Sequence, residues 1–284
     1  MHYQFLRFPM GKAKAVTFSY DDGCPQDITL SGILSDYGLK CTFNLNSKEL
    51  CGINSLTKEE IQKNFLEKGH EIAVHGAFHR AEGTLRPIEG IQDVLNCRLE
   101  LEQTYGTIIR GMAYPDTGIS SFSNAAKYES VRQYLSELDI AYARTLGKDN
   151  NSFKLPEDWY SWIPTAHHNN PKILDYADEF IKLDLSDKKY GATRYPRLFY
   201  VWGHAYEFDR FDNWEHLHEL CKKLGNRKDI WYATNIEIYN YVSAYHSLVY
   251  SVDSNMIYNP TLIAIWFDRD GTQHIIHPGE TLHL

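Results

Sequence analysis

Two ionisable carboxylates, Asp21 and Asp22, stand side by side at the end of the apolar run "AVTFSYDDGC", residues 15–24. Val16, Phe18 and Tyr20 alternate with Thr17 and Ser19 as in a strand, and Gly23 marks a turn. Adjacent like charges repel and Asp is a poor strand former, so the pair calls for a partner. Further on, "VHGAFHR" sets His75 and His79 four residues apart where another apolar run ends. With 13 His in 284 residues about 0.6 such pairs arise by chance, so the spacing alone is weak evidence. A single helical turn there would put both imidazoles on one side. Two imidazoles and one carboxylate form a facial set that leaves positions open for water and substrate. A dication on such a set would neutralise Asp22 and let Asp21 stay ionised next to it, as a base. Two plainer readings compete: solvent-facing histidines, and an Asx-type turn capping the next helix. Pro25 and Asp27 can start that helix without Asp22, so capping does not require both carboxylates.

Positioning these groups falls to a regular alternation of elements. Strand candidates are 14–20, 41–46, 70–75, 107–114, 141–145, 197–204 and 230–235, with amphipathic stretches between most of them. "TKEEIQKNFLEKG" opens on Thr57 with Glu60 three residues on, a capping box, and closes on Gly69. "NWEHLHELCKKLG" opens at Asn213 and closes on Gly225 in the same way. Seven strands with helices between them imply parallel pairing and right-handed crossovers, in a closed β/α barrel or an open doubly wound sheet. The barrel is the favoured reading of this α/β pattern. In a barrel the carboxyl ends of the strands form the catalytic face. Asp21 and Asp22, His75 and His79, the segment Arg110–Pro115 and His204 all fall at such ends, so they should converge. Residues 252–284 differ, with alternating strands around "RDG" and "PGE" turns, and read as a small β appendage to a main domain of residues 1–251.

The bulk numbers narrow the function classes. The chain is 43% hydrophobic and 14% aromatic, a globular composition. A net charge of -8 argues against nucleic acid or an anionic membrane as partner, and a neutral substrate such as a carbohydrate fits better. No window approaches the roughly 18 apolar residues that span a bilayer. The start "MHYQFLRFPMGKAKAV" has no secretory apolar core, which points to the cytoplasm unless a leader was trimmed. Cysteines 24, 41, 51, 97 and 221 form no CxxC pair, which argues against a disulfide framework or a zinc knuckle. Oligomeric state is left open, a homo-oligomer included.

Taken together, "TFSYDDG", "HEIAVHGAFHR", "GMAYPDTG" and "LFYVWGH" resemble the ordered motifs of the NodB-type polysaccharide deacetylases, and "KCTFNLN" resembles that family's second-strand pattern. The resemblance spans residues 14–235. It implies a distorted, usually seven-stranded (β/α)7 barrel, here with the C-terminal β appendage. The activity implied is metal-dependent removal of acetyl groups from an acetylated mono-, oligo- or polysaccharide, N-acetyl ahead of O-acetyl. Carried over by resemblance, Asp22, His75 and His79 are the metal ligands, Asp21 the general base and His204 the general acid. In that reading metal and base turn a water into the nucleophile, and a backbone N–H of the "AYPDT" turn faces the oxyanion. Zinc leads as the ion, with Co2+, Ni2+ and Fe2+ as alternatives for a borderline ligand set.

This chain departs from the family pattern in two places. An Arg usually stands two residues before the Pro of the third motif, where this chain has Ala113. That leaves the partner of Asp21 open, with Arg110 as one candidate, and Tyr114 and Asp116 of the same motif are further candidates for the cleft. The fourth motif matches only "PEDWYSWIPTAHHNN". Its Trp159, Trp162 and His168 read either as a sugar-stacking wall or, for the tryptophans, as core at the barrel mouth. Glu207 and Asp209 read as surface or capping charges, and the helical His216 and His218 as non-functional. Other readings of the whole are a hydrolase of a different non-peptide C–N bond, a silent sugar-binding relative, and a non-haem iron oxygenase. A retained base and acid disfavour silence, and the β/α alternation disfavours the oxygenase.

Overall fold

The structure is a computed structural model that describes residues 2–48, 56–185 and 194–284. After β1 (Gln4–Arg7), the strands β2 (Lys14–Asp21), β3 (Cys41–Leu45), β4 (Glu71–Val74), β5 (Gly111–Ala113), β6 (Tyr142–Arg144), β7 (Ala166–His167), β8 (Arg197–Gly203) and β9 (Ile230–Tyr232) follow. Helices α1 (Gln26–Asp36), α2 (Lys58–Ile61), α3 (Pro87–Tyr105), α4 (Tyr128–Glu137), α5 (Ile173–Lys182), α6 (Tyr206–Phe211), α7 (Trp214–Leu224) and α8 (Asn235–His246) lie between and after them. The sheet order is β6-β5-β4-β3-β2-β8-β7, with β9 also on β2, and every pairing is parallel. A parallel bridge from Arg144 to Trp162, followed by the Thr165 amide donating to the Tyr200 carbonyl at 2.8 Å, draws the two ends together. The curled sheet is the distorted (β/α)7 barrel the sequence implied. The short β7 was not foreseen, and of 107–114 only three residues form a strand.

Alternation along each strand divides the side chains. Val16, Phe18, Tyr20, Phe43, Val74, Met112 and Val201 pack outward in the core cluster beneath the helices. The residues between them carry hydrogen-bonding groups into the barrel. Thr17 Oγ1 bonds Asn235 Oδ1 at 2.9 Å, and Thr42 Oγ1 and Tyr142 OH both donate to Glu71, each at 2.8 Å. Burial pushes the Glu71 carboxyl up to about 7, against these donors and the Ile236 amide. Buried polar groups persist only when paired, so this column is a built feature and not a packing error.

Local signals hold at one helix and fail at another. Thr57 and Glu60 form the expected capping box on α2, which runs into a π-helical turn over Gln62–Leu66. At α7 Asn213 makes no side-chain cap, and Gly225 is extended at φ -76°. The Asn213 amide instead bonds Asn169 Oδ1 at 2.7 Å, so a tertiary contact has displaced the cap.

The C-terminal strands β10 (Val249–Tyr250), β11 (Met256–Tyr258), β12 (Ile265–Arg269), β13 (Thr272–Ile276) and β14 (Thr281–His283) form two antiparallel three-stranded sheets, β1-β12-β13 and β10-β11-β14. The first recruits the N-terminal β1. Ala244 of α8, Leu248, Ile257 of β11, and Ile265, Phe267 and Ile276 of the first sheet form a separate small core. Cys41, Cys97 and Cys221 are buried free thiols. Cys24 is disulfide-bonded, which its scattered spacing could not announce. Among the described residues no helix is long and apolar enough to cross a membrane.

Candidate active site

Asp21 is the last residue of β2 and faces Asn44 across the pair with β3. The Asn44 amide donates to Asp21 Oδ1 at 2.8 Å, and Arg144 Nη2 donates to Asp21 Oδ2. Both side chains of the Asp21–Arg144 pair are almost wholly buried, at 3% and 1% exposure. Arg144 is thus the buried counter-charge of Asp21, and each offsets the desolvation of the other. Arg144 also lies over the Trp202 ring, 4.8 Å from its centroid. The position abandoned by Arg at Ala113 is thus served from the next strand, since Ala113 and Arg144 are paired in register. Arg144→Met is expected to destabilise the fold by about 3–5 kcal/mol, because it leaves the Asp21 charge buried and alone. A urea titration with an unshifted midpoint would contradict this.

Asp22 adopts φ 79° and His79 φ 51°, left-handed conformations that cost non-glycine residues energy and that concentrate at functional sites. The Asp22 amide is tied to the Asn44 carbonyl at 3.0 Å. Asp22 Oδ1 then lies 3.5 Å from His75 Nε2 and 3.3 Å from His79 Nε2. His75 follows β4, where its amide bonds the Leu45 carbonyl at 3.0 Å and its Nδ1 meets the Ala113 carbonyl at 2.9 Å. That contact puts the ring proton on Nδ1 and leaves the Nε2 lone pair facing Asp22.

The charges of this trio follow from placement. Burial works to raise Asp22, but the His79 hydrogen bond and the His75 and His204 imidazoles outweigh it and hold the carboxyl below its ordinary value. Burial lowers His75 despite Asp21 and Asp22, while the hydrogen bond to Asp22 raises His79 against burial. One ligand atom from each of Asp22, His75 and His79 lies within 4.8 Å of the others. Asp22 Oδ1 is buried without a hydrogen-bond partner of good geometry. A buried carboxylate oxygen facing two imidazole nitrogens at 3.3 and 3.5 Å is a donor set that suits a dication.

His204 follows β8, with Nε2 3.9 Å from Asp21 Oδ2 and 4.0 Å from Asp22 Oδ2. Its Nδ1 is 3.3 Å from Glu207 Oε1, one helical turn on in α6. Glu207 was expected at the surface; instead its other oxygen lies 3.1 Å from both His167 Nε2 and His168 Nε2. Burial alone would raise Glu207, and the three imidazoles drive it far below the carboxylate range. Burial works to lower His204, and Glu207, Asp21 and Asp22 outweigh it.

Other expected cleft residues sit elsewhere. Arg110 Nη2 pairs with Asp139 at 2.8 Å and is corrected to a surface strut, because the neighbouring strand already supplies the guanidinium. Tyr114 is buried with its OH donating to the Tyr160 carbonyl at 2.9 Å, and its amide is spent on the Arg144 carbonyl. Trp162 is 1% exposed in a cluster with Tyr142 and Tyr200. Trp159 stacks edge-on against Trp162 and Tyr239. Both tryptophans are therefore core-side residues and not a sugar wall, since an aromatic loop reveals nothing of which barrel end it covers. His168 is buried against Tyr20 and Phe208, its rings nearly parallel to theirs, with a pKa pushed down to about 4 by burial. Asp116 stays at the site, with Oδ1 3.7 Å from His79 Nδ1.

Residues 9–143 match the family model "Polysaccharide deacetylase". No curated protein matches the chain. Among solved structures, a candidate polysaccharide deacetylase of Mycobacterium smegmatis is 16% identical over 87% of this chain and 96% of its own, with a TM-score of 0.58. The chitin deacetylase of the fungal pathogen Colletotrichum lindemuthianum is 17% identical over 82% of this chain and 89% of its own, with a TM-score of 0.50. The Streptococcus pyogenes deacetylase PplD, solved with acetate, is 16% identical over 46% of this chain and only 55% of its own, with a TM-score of 0.40. The family match runs over the strands that carry Asp21, Asp22, His75 and His79, just under half of the chain, and together with the shared barrel it makes the chain similar to the polysaccharide deacetylases.

Proposed function

We propose that the protein is a metal-dependent hydrolase that removes acetyl groups from a carbohydrate, N-acetyl in preference to O-acetyl. One observation carries this reading: the His204 imidazole lies 3.9 Å from the buried Asp21 and 4.0 Å from Asp22, which itself clusters with His75 and His79. Those three residues would hold the dication, zinc first by ligand type. When bound, such an ion lowers the pKa of water and polarises a carbonyl.

The rest is work for the chain's own groups. Asp21 has one lone pair on each oxygen engaged, by Asn44 and by Arg144, and a second free on each to accept a proton from the attacking water. Arg144 holds Asp21 through Oδ2 and so fixes where its carboxylate stands. His204 gives a proton from Nε2 to the leaving amine or alcohol as the C–N or C–O bond breaks, so that acetate and the free sugar result. Glu207 accepts from Nδ1, which fixes the ring plane and supports the imidazolium. With the Tyr114 amide committed and Pro115 lacking one, the Asp116 and Thr117 amides of the same turn are left to face the oxyanion.

His204→Ala should slow acetate release by roughly 10²–10⁴-fold with zinc content unchanged, as for loss of a general acid. An unaffected rate would move that role elsewhere. The reading itself is tested by an acetate-release screen of zinc-loaded protein over N-acetylated and O-acetylated oligosaccharides. Turnover on an N-acetylated sugar supports it. Inactivity on every acetylated sugar, with hydrolysis of a simple amide or imide, would overturn it.

A further inference from the structure

Behind the candidate metal ligands, one carboxylate shapes the loop that carries His79. Asp93 sits on the buried side of α3 and is 7% exposed. Its Oδ2 accepts the Ala77 amide and its Oδ1 the Phe78 amide, both at 3.0 Å. These two amides lie between His75 and His79, in a loop that enters through Gly76 at φ 74° and leaves through His79 at φ 51°. A backbone bent left-handed twice in four residues holds its shape only under external restraint. Two charge-assisted bonds from a single rigid helix supply that restraint.

Gly76 and Asp93 are fitted to each other. A Cβ built on Gly76 would collide with Asp93 Oδ2. The chain therefore leaves position 76 without a side chain and fills that space with a carboxylate from 17 residues away in sequence. From the other side Asn46 donates to the His75 carbonyl, and to the Gly76 carbonyl at 3.1 Å, so the peptide at 76 is clamped between two elements.

We propose that Asp93 is a positioning residue that sets the His79 imidazole within reach of Asp22 and His75, and that Gly76 exists to admit it. This rests on the metal-site reading above and adds to it a residue that does not touch the ion. Supporting groups of this kind typically change metal affinity by about 10–100-fold.

The experiment is competition for zinc between a chelating dye and the chelator-stripped, refilled full-length protein, at a temperature where circular dichroism shows every variant folded. Asp93→Ala is expected to weaken zinc affinity about 10–100-fold, and Asp93→Asn, which keeps one acceptor oxygen, to recover part of it. Gly76→Ala should weaken it too, and the two losses should be less than additive in the double variant because the collision and the bonds involve one atom pair. Wild-type zinc affinity in folded Asp93→Ala would overturn the proposal, as would fully additive losses. A wild-type protein that binds no zinc, or a His79→Ala variant that binds it normally, would instead overturn the metal-site reading, so the two failures are separable.

Discussion

Asp21→Asn is expected to lower acetate release by about 10³–10⁴-fold while zinc content stays that of the wild type. Asn fills the same volume and can still receive the Asn44 hydrogen bond, but it cannot take a proton at neutral pH. Its second effect is structural. Arg144 is 1% exposed and Asp21 is its ion-pair partner, so the Asn variant strands a guanidinium in the barrel. Removing one partner of a buried pair costs roughly 3–5 kcal/mol, so the melting temperature should fall as well. Rates must therefore be compared well below the transition, with the folded fraction measured. Full turnover in folded Asp21→Asn would remove the base assignment.

His75→Ala should abolish both bound zinc and acetate release. The ring is 1% exposed, anchored through Nδ1 to the Ala113 carbonyl, and has no solvent role to fall back on. Its loss leaves Asp22 and His79, a two-ligand set with a partly exposed imidazole. Such sets bind zinc far more weakly than three-ligand sites, and a stripped protein should retain almost none after gel filtration. Elemental analysis decides the matter, and zinc at wild-type stoichiometry would exclude His75 from the ligands. The same measurement on His79→Ala should show a smaller residual affinity than on Asp93→Ala, because one removes a nitrogen and the other only its support.

The barrel was legible because strand period and capping are local signals. Val16, Phe18 and Tyr20 announce a buried strand, and Thr57 with Glu60 announces a helix start. The clustering of Asp22, His75 and His79 was legible for the same reason, since they follow apolar runs whose ends a barrel places on one face. Arg144 was not, although an Arg inside the strand-like "AYART" is an oddity that a buried countercharge would explain. Its partner lies 123 residues away, and only the strand register puts the two at one level. Glu207 hid in the same way: one turn after His204 on a helix it looks like surface charge until the fold brings His167 and His168 against it. Trp159 and Trp162 misled in the opposite direction, since aromatic character carries no information about which end of a barrel a loop packs against. The recruitment of β1 by β12 is a long-range pairing that nothing in residues 4–7 foretells.

An ion on Asp22, His75 and His79 is expected to make the neighbouring carboxylate and imidazole catalytic. The most direct test is acetate release from an N-acetylated oligosaccharide by protein stripped with a chelator and then titrated with zinc. Activity should be absent in the stripped protein and return with added zinc, and should not return in His75→Ala at any zinc concentration. Stripped protein, verified metal-free, that releases acetate at the full rate would contradict the account.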